Sequence, residues 1–200
     1  TYNARRELAG RVKQHTLDHL DYYLERFVNQ AEMAGCHVHF AADAAEANRI
    51  CLDIAKRIDA KLCVKSKSMV TEETHLVPEL EGIGCETVET DLGEFILQID
   101  NDAPSHIVQP MIHKDRVATA EAFTRVLGAK YTEDPIELTK IARHHLRDKY
   151  RKADLGISGA NFMVADTGTI ALVTNAATPR LCTSAAKAHL KRLAELLARD

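Results

Sequence analysis

Lys61-Leu62-Cys63-Val64-Lys65-Ser66-Lys67-Ser68-Met69-Val70-Thr71-Glu72-Glu73 is the stretch that decides the fold. A short apolar run ends in a polar turn, and a helical pattern over residues 69–80 opens at once, closed by Gly82 and Gly84. That order reads as strand, turn, helix. On the N-terminal side a helix is expected from Asp43. Asp43 and Glu46 have capping-box spacing, and Ala47, Ile50, Cys51, Ile54 and Ile58 share one face. Before it, His37-His39 and Val38-Phe40 alternate as a short strand would. After it, residues 85–90 read as strand again. Alternating strands and helices of this kind specify an α/β fold, a mostly parallel sheet covered by helices on both faces.

Farther out the pattern is less regular. Over residues 5–34 Leu17, Leu20, Leu24, Phe27, Val28 and Ala31 recur with the helical period, and Gly35 is the stop, which gives an N-terminal helical arm. Residues 93–99 fit strand or helix and are read as extended. Residues 104–110 are a loop containing Ser105 and His106, and a helix is expected over 113–127. Asp134-Pro135-Ile136-Glu137 supplies an N-cap, Pro at the first helical position and Glu at the third. That helix closes in the basic cluster of residues 147–152, where cations suit the dipole. Apolar runs at 155–158, 161–165 and 169–173 follow, the last two as a hairpin around Asp166-Thr167-Gly168. An amphipathic helix is expected over 185–199. The organisation expected is therefore an arm (1–35), an α/β domain (36–184) and a C-terminal helix (185–200).

Composition bounds the function. The 200 residues are 46% hydrophobic and 28% charged, with a net charge of −3. A chain this long buries roughly 70% of its unfolded surface and needs no staple. No basic block or aromatic ladder marks a nucleic-acid face, and no apolar run approaches the ~20 residues that cross a bilayer. A cytoplasmic protein is expected. Cys36, Cys51, Cys63, Cys85 and Cys182 are odd in number, scattered, and free of any C-x-x-C pair. That spacing argues against a disulfide framework, a zinc site or an iron–sulfur motif, and buried free thiols are the simpler reading. The ten histidines are read as surface or hydrogen-bonded side chains, and no metal is assigned.

Two polar turns carry chemistry. Lys65-Ser66-Lys67-Ser68 lies where a strand passes into a helix, the sheet edge at which open α/β folds bind ligands. Two ammonium groups, two hydroxyls and helix N–H groups suit a carboxylate or phosphate. Against this, Glu72 and Glu73 already complement the first turn. Thr90-Asp91-Leu92-Gly93-Glu94 follows the next strand and reaches the same edge, with Asp91 and Glu94 as a carboxylate pair for proton transfer or for metal binding. An Asx turn explains it more plainly. Asp166-Thr167-Gly168 superficially matches an aspartic-protease signature, but a chain rich in capped helices does not fit one.

Four blocks together resemble the lactate utilisation protein B family over about residues 5–184. They are Lys65 to Glu73, Glu89 to Glu94, Pro104-Ser105-His106-Ile107-Val108 and Ser158-Gly159-Ala160-Asn161-Phe162, continued by Thr167-Gly168-Thr169-Ile170 and Val173-Thr174-Asn175. The resemblance implies the LUD domain, of the sugar-isomerase and CoA-transferase type. It also implies an iron–sulfur electron-transfer subunit that acts with partner proteins in oxidising L-lactate to pyruvate. The 4Fe-4S clusters belong to a C-terminal region, and no cofactor is expected in this chain, which is similar to the N-terminal domain. Candidate ligand contacts carried over are Lys65, Ser66, Lys67, Ser68, Thr90, Asp91, Gly93 and Glu94, then Ser158, Gly159, Asn161, Thr167, Gly168 and Asn175. His106, Asp91 and Glu94 are the candidates for proton transfer. Partners implied are the other subunits, a small carboxylate such as lactate or pyruvate, and a second copy of the chain. The competing readings are a self-sufficient isomerase or acyl transferase and a non-catalytic assembly module.

Overall fold

The computed structural model describes residues 1–105, 109–173 and 178–191. Along the chain run α1 (Tyr2–Asp18), α2 (Leu20–Met33), α3 (Ala44–Arg57), β1 (Leu62–Lys65), α4 (Met69–Glu73), α5 (Leu76–Gly82) and β2 (Glu86–Glu89). Then come α6 (Leu92–Asp100), α7 (Arg116–Leu127), α8 (Pro135–Lys152), β3 (Leu155–Ser158), β4 (Phe162–Val164), β5 (Thr169–Ala171), α9 (Thr178–Ala185) and β6 (Ala188–Lys191). The chain divides into two compact units, residues 1–40 with 160–173, and residues 41–159 with 174–200.

The larger unit is the expected α/β layer. Its sheet has the order β2-β1-β3-β6 with every pair parallel, and Lys65 stands opposite Glu89 in the β1–β2 register. Alternation along β1 splits the core. Leu62 and Val64 pack with Phe95, Ile96, Phe123, Leu138 and Leu146 of α6, α7 and α8. Cys63 packs with Cys51, Ala55, Leu76 and Leu80 of α3 and α5. Both faces are covered, so β1 and β3 read as continuously buried strands. Gly156 of β3 is required by a close crossing, because a Cβ there would stand 2.0 Å from the Cys182 carbonyl of α9. On the outer edge of the sheet Gln98 acts as a surrogate strand. Its amide nitrogen donates to the Thr87 carbonyl at 2.7 Å and its oxygen accepts from the Glu89 N–H at 2.9 Å.

The smaller unit holds α1, α2 and the antiparallel β4–β5 hairpin, registered Phe162 with Ala171. Arg26 pairs with Asp166 at 2.9 Å. Gly168, at φ +64°, lies so near α2 that a Cβ would stand 2.2 Å from the Ala31 nitrogen. Only Phe27 and Ala31 of α2 are buried, and α1 buries nothing.

Several local expectations are corrected. The arm is two helices, broken at His19, whose ring nitrogen Nδ1 bonds the His15 carbonyl at 2.9 Å. Residues 37–40 form no strand and pair with none of the described strands. The helix over 69–80 is split by His75 in a left-handed conformation, φ +51°. Residues 93–99 are helical, because Asp91 caps α6 by accepting from the Gly93 N–H at 3.1 Å. Where the closing helix is expected to begin, the chain forms β6 instead, since pairing with β3 supplies ladder hydrogen bonds that overrule helical pattern, and a helix, α9, precedes it. Residues 192–200 of that expected helix lie outside the described ones.

Candidate functional site

Three adjacent parallel strands finish together, bringing Lys65, Glu89 and Ser158 to the same end of the sheet. Lys65 continues the alternation of β1 into the α3–α5 face and is fully buried. An ammonium without solvent needs compensating charge, and three carboxylates supply it. Its Nζ lies 2.8 Å from Glu72 Oε1, 2.8 and 2.9 Å from the Glu89 oxygens, and 3.9 Å from Glu94 Oε2. Glu72 comes from α4, Glu89 from the end of β2 and Glu94 from the first turn of α6. Glu72 is the member open to solvent, its side chain 37% exposed.

The electrostatics of this cluster are those of an acid–base group. Burial favours the neutral amine of Lys65, but Glu89, Glu94 and Glu72 outweigh it and hold the ammonium charged well above the usual lysine range. Burial raises the Glu89 carboxyl, with Lys65 opposing. Burial likewise pushes Glu94 up to about 8, Lys65 opposing and the neighbouring Glu89 reinforcing. Near neutral pH Glu94 therefore keeps its proton, in a hydrogen bond with the neighbouring Glu89 carboxylate. Ser66 Oγ beside Lys65 in the chain is buried and unpartnered.

Of the residues singled out in the sequence, the structure gathers nine at this end of the sheet. Thr90 ties the strand ends together, its Oγ1 donating to the Lys65 carbonyl at 2.8 Å. Asp91 is the α6 cap, and Gly93 lets Pro110 and Met111 approach to 3.4 and 3.3 Å of a would-be Cβ. Ser68 caps α4, with its carbonyl accepting from Thr71 Oγ1 at 2.7 Å, and Gly159 lies against it. Ser158 Oγ meets His189 Nε2 at 2.8 Å. With Lys65, Ser66 and Glu94 these complete the nine. Lys67 is half-buried in the following turn. Asn161, Thr167 and Gly168 belong to the smaller unit, where Asn161 Oδ1 accepts from the Val173 N–H at 2.7 Å and Thr167 bonds Thr169. His106 and Asn175 lie outside the described residues.

An anion held by Lys65 and a helix start is not what this geometry favours. The ammonium is already surrounded by carboxylates, and α4 is only five residues long. Sequence reasoning missed Glu72 and Glu89 as members, although a parallel register that sets a strand-end lysine opposite a strand-end glutamate is a readable signal. Among the described residues Glu72, Glu89 and Glu94 are also the group that could ligate a metal, but Lys65 sits where a cation would. A 4Fe-4S cluster needs four thiolates close together. Cys51, Cys63 and Cys85 are buried on one face of the sheet and Cys182 on the other, while burial raises Cys63 and Cys85 and pushes Cys182 up to about 11. The cysteines of this chain do not fit a cluster.

A doubly covered parallel sheet with its polar residues gathered at the carboxyl ends of the strands defines an α/β domain of the open-sheet type. Residues 24–191 match the LUD domain, and the chain belongs to that family. It is 47% identical over 185 residues to lactate utilization protein B of Bacillus cereus strains B4264 and G9842, and equally so to that of Bacillus thuringiensis strain Al Hakam. In each case 92% of this chain is covered but only 39% of the relative's length. No solved structure matches the chain.

Proposed function

We propose that this chain is the N-terminal domain of an iron–sulfur electron-transfer subunit in a complex that oxidises L-lactate to pyruvate, and that it handles the hydroxy acid at the Lys65–Glu94 edge. The observation that carries the reading is the identity of 47% over 92% of the chain to proteins named for lactate utilization. The geometry of the edge supports it. A buried carboxyl that holds its proton near neutral pH is suited to exchange a proton with a substrate hydroxyl or keto oxygen. The surplus of carboxylates over Lys65 turns the acid end of such a substrate away from Glu94 and its hydroxyl end toward it. Clusters are assigned to the part of the complete protein outside these residues, since the cysteines here do not fit one. Association with the other subunits, and with a second copy, is consistent with an α1 that buries no residue of its own and exposes Tyr2, Leu8, Val12 and Leu17. A cytoplasmic location belongs to the same proposal.

The test uses the complete gene product assembled with its partner proteins, with lactate as donor and an artificial electron acceptor. Glu94→Gln keeps the shape and removes the exchangeable acid. The expected result is assembly and iron content unchanged with turnover lowered roughly 10²- to 10⁴-fold, the span of general acid–base catalysis. Absence of lactate-dependent reduction by the wild-type assembly sinks the assignment, and full turnover by the variant sinks the role of Glu94.

A further inference from the structure

The segment between α6 and α7 returns over the start of α6, where Pro110 and Met111 press on Gly93. Within it His113 is held at both ring nitrogens. Nε2 lies 2.9 Å from Asp102 Oδ2, and Nδ1 lies 2.6 Å from Ser105 Oγ. The Lys114 ammonium first, then His113 and the Ala103 N–H, hold the Asp102 carboxyl well below the usual carboxylate range. Asp102 can therefore only accept, so Nε2 carries the hydrogen. In the neutral imidazole Nδ1 is then the bare nitrogen, and it accepts the Ser105 hydroxyl proton. A second acceptor, the Pro110 carbonyl, is more distant from Ser105 Oγ at 3.3 Å. Asp100 at the end of α6 completes the charges around the ring by pairing with both Lys114 and Arg125 of α7, while Lys114 also pairs with Asp102 at 2.8 Å. Ser105 and His113 are both exposed.

Carboxylate, imidazole and hydroxyl in hydrogen-bonded sequence are the arrangement that makes a serine nucleophilic, whichever ring nitrogen faces it. We propose that Ser105, His113 and Asp102 form an acyl-transfer site for small carboxylic esters or thioesters, sharing no residue with the Lys65 cluster. Ser105 Oγ bonds to the acyl carbon as the bond from that carbon to the alcohol oxygen or thiol sulfur breaks. The hydroxyl proton passes to His113 Nδ1 and then to the departing alkoxide or thiolate. Water, deprotonated by the same nitrogen, attacks the acyl-serine. It releases the carboxylic acid and restores the hydroxyl.

A fluorophosphonate reports the nucleophile directly: the Oγ–phosphorus bond forms, fluoride leaves, and His113 takes the proton. With the full chain, one equivalent is expected on the peptide containing Ser105, at a rate that rises with pH along a single ionisation, and p-nitrophenyl acetate gives the matching acetyl adduct. Ser105→Ala abolishes that adduct, and His113→Gln slows labelling at least about 100-fold, the lower bound for a general base. No adduct after prolonged exposure, adducts scattered over several serines, or a rate unchanged in a folded His113→Gln protein each overturn the proposal. If His113→Gln does not fold, the wild-type profile decides alone, and a rate that does not follow one ionisation overturns it.

Discussion

Replacing Lys65 by Met removes the cation from the Glu72–Glu89–Glu94 cluster while nearly keeping the buried volume of the stem. Removing one partner of a buried ion pair costs about 3–5 kcal/mol, because the charges left behind have neither solvent nor counterion. For a domain of this size each kcal/mol moves the melting temperature by roughly 2–4 °C, so a fall of roughly 6–20 °C is expected. The penalty depends on pH in a way that identifies its origin. Glu94 sits at about 8 in the folded protein, raised by burial against the opposing Lys65, and returns to an ordinary value near 4.3 on unfolding. A carboxyl raised on folding binds its proton more tightly in the native state. Stability therefore falls as pH rises from the ordinary carboxylate range through about 8, and is level above it. Without Lys65, Glu89 loses the charge that restrains it and climbs further, so more native-state protons are at stake over the same interval. Each fully coupled proton steepens the fall by about 1.4 kcal/mol per pH unit. The variant should thus lie nearest to wild type at pH 5 and farthest from it at pH 8. Urea unfolding followed by circular dichroism at pH 5, 6.5 and 8 measures this. A penalty under about 1 kcal/mol, equal at the three pH values, is what a solvated surface pair would give, and it would refute the buried cluster.

Gly156→Ala should cost at least about 2 kcal/mol, since overpacking penalties run to roughly 3 kcal/mol and its Cβ would meet the Cys182 carbonyl; Gly10→Ala, in open space on α1, should be neutral or stabilising. Thermal melts of the two variants side by side settle it. Gln98→Ala leaves the Thr87 carbonyl and Glu89 N–H of β2 without partners, for about 1–3 kcal/mol, and it opens a sheet edge. Light scattering at rising protein concentration should detect the self-association that follows, and a variant that stays monomeric with unchanged stability would contradict the strand-surrogate role. Of the five thiols Cys36 alone is not buried, so an aromatic disulfide reagent should modify one cysteine rapidly and the other four only on unfolding. Rapid reaction of two or more at neutral pH would contradict the packing of α3, α5 and α9 on the sheet.

What the sequence made legible is what lies within a few residues. Asp43 and Asp134 cap their helices by accepting from the N–H groups of Glu46 and Ile136, and both caps are readable because donor and acceptor are two or three positions apart. The parallel sheet follows from the strand–helix alternation around residues 61–90 and is present in the β2-β1-β3-β6 order. The misreadings are of two physical kinds. Residues 93–99 read as extended, yet Gly93 at the second helical position donates to the Asp91 cap, so the run is helical from its start. β6 and the absent strand at 37–40 turn on partners distant in the chain: Ala188–Lys191 has the β3 edge to pair with, and residues 37–40 pair with none of the described strands.

Lys65 shows why the site was harder to read than the fold. A lysine after Leu62-Cys63-Val64 has the local signature of a turn cation waiting for an anion. Register places it opposite Glu89, and the short α4 returns Glu72 to within 2.8 Å, so the same charge becomes the interior counterion of a carboxylate cluster. The inversion follows from burial: an ammonium at zero exposure must be neutralised by the protein before any ligand arrives. Once Lys65 is neutralised with carboxylates to spare, the least stabilised of them keeps its proton, and that is Glu94, which meets Nζ only at 3.9 Å. The anion-holding turn suggested by sequence thus becomes a proton-holding edge through the depth of a single side chain.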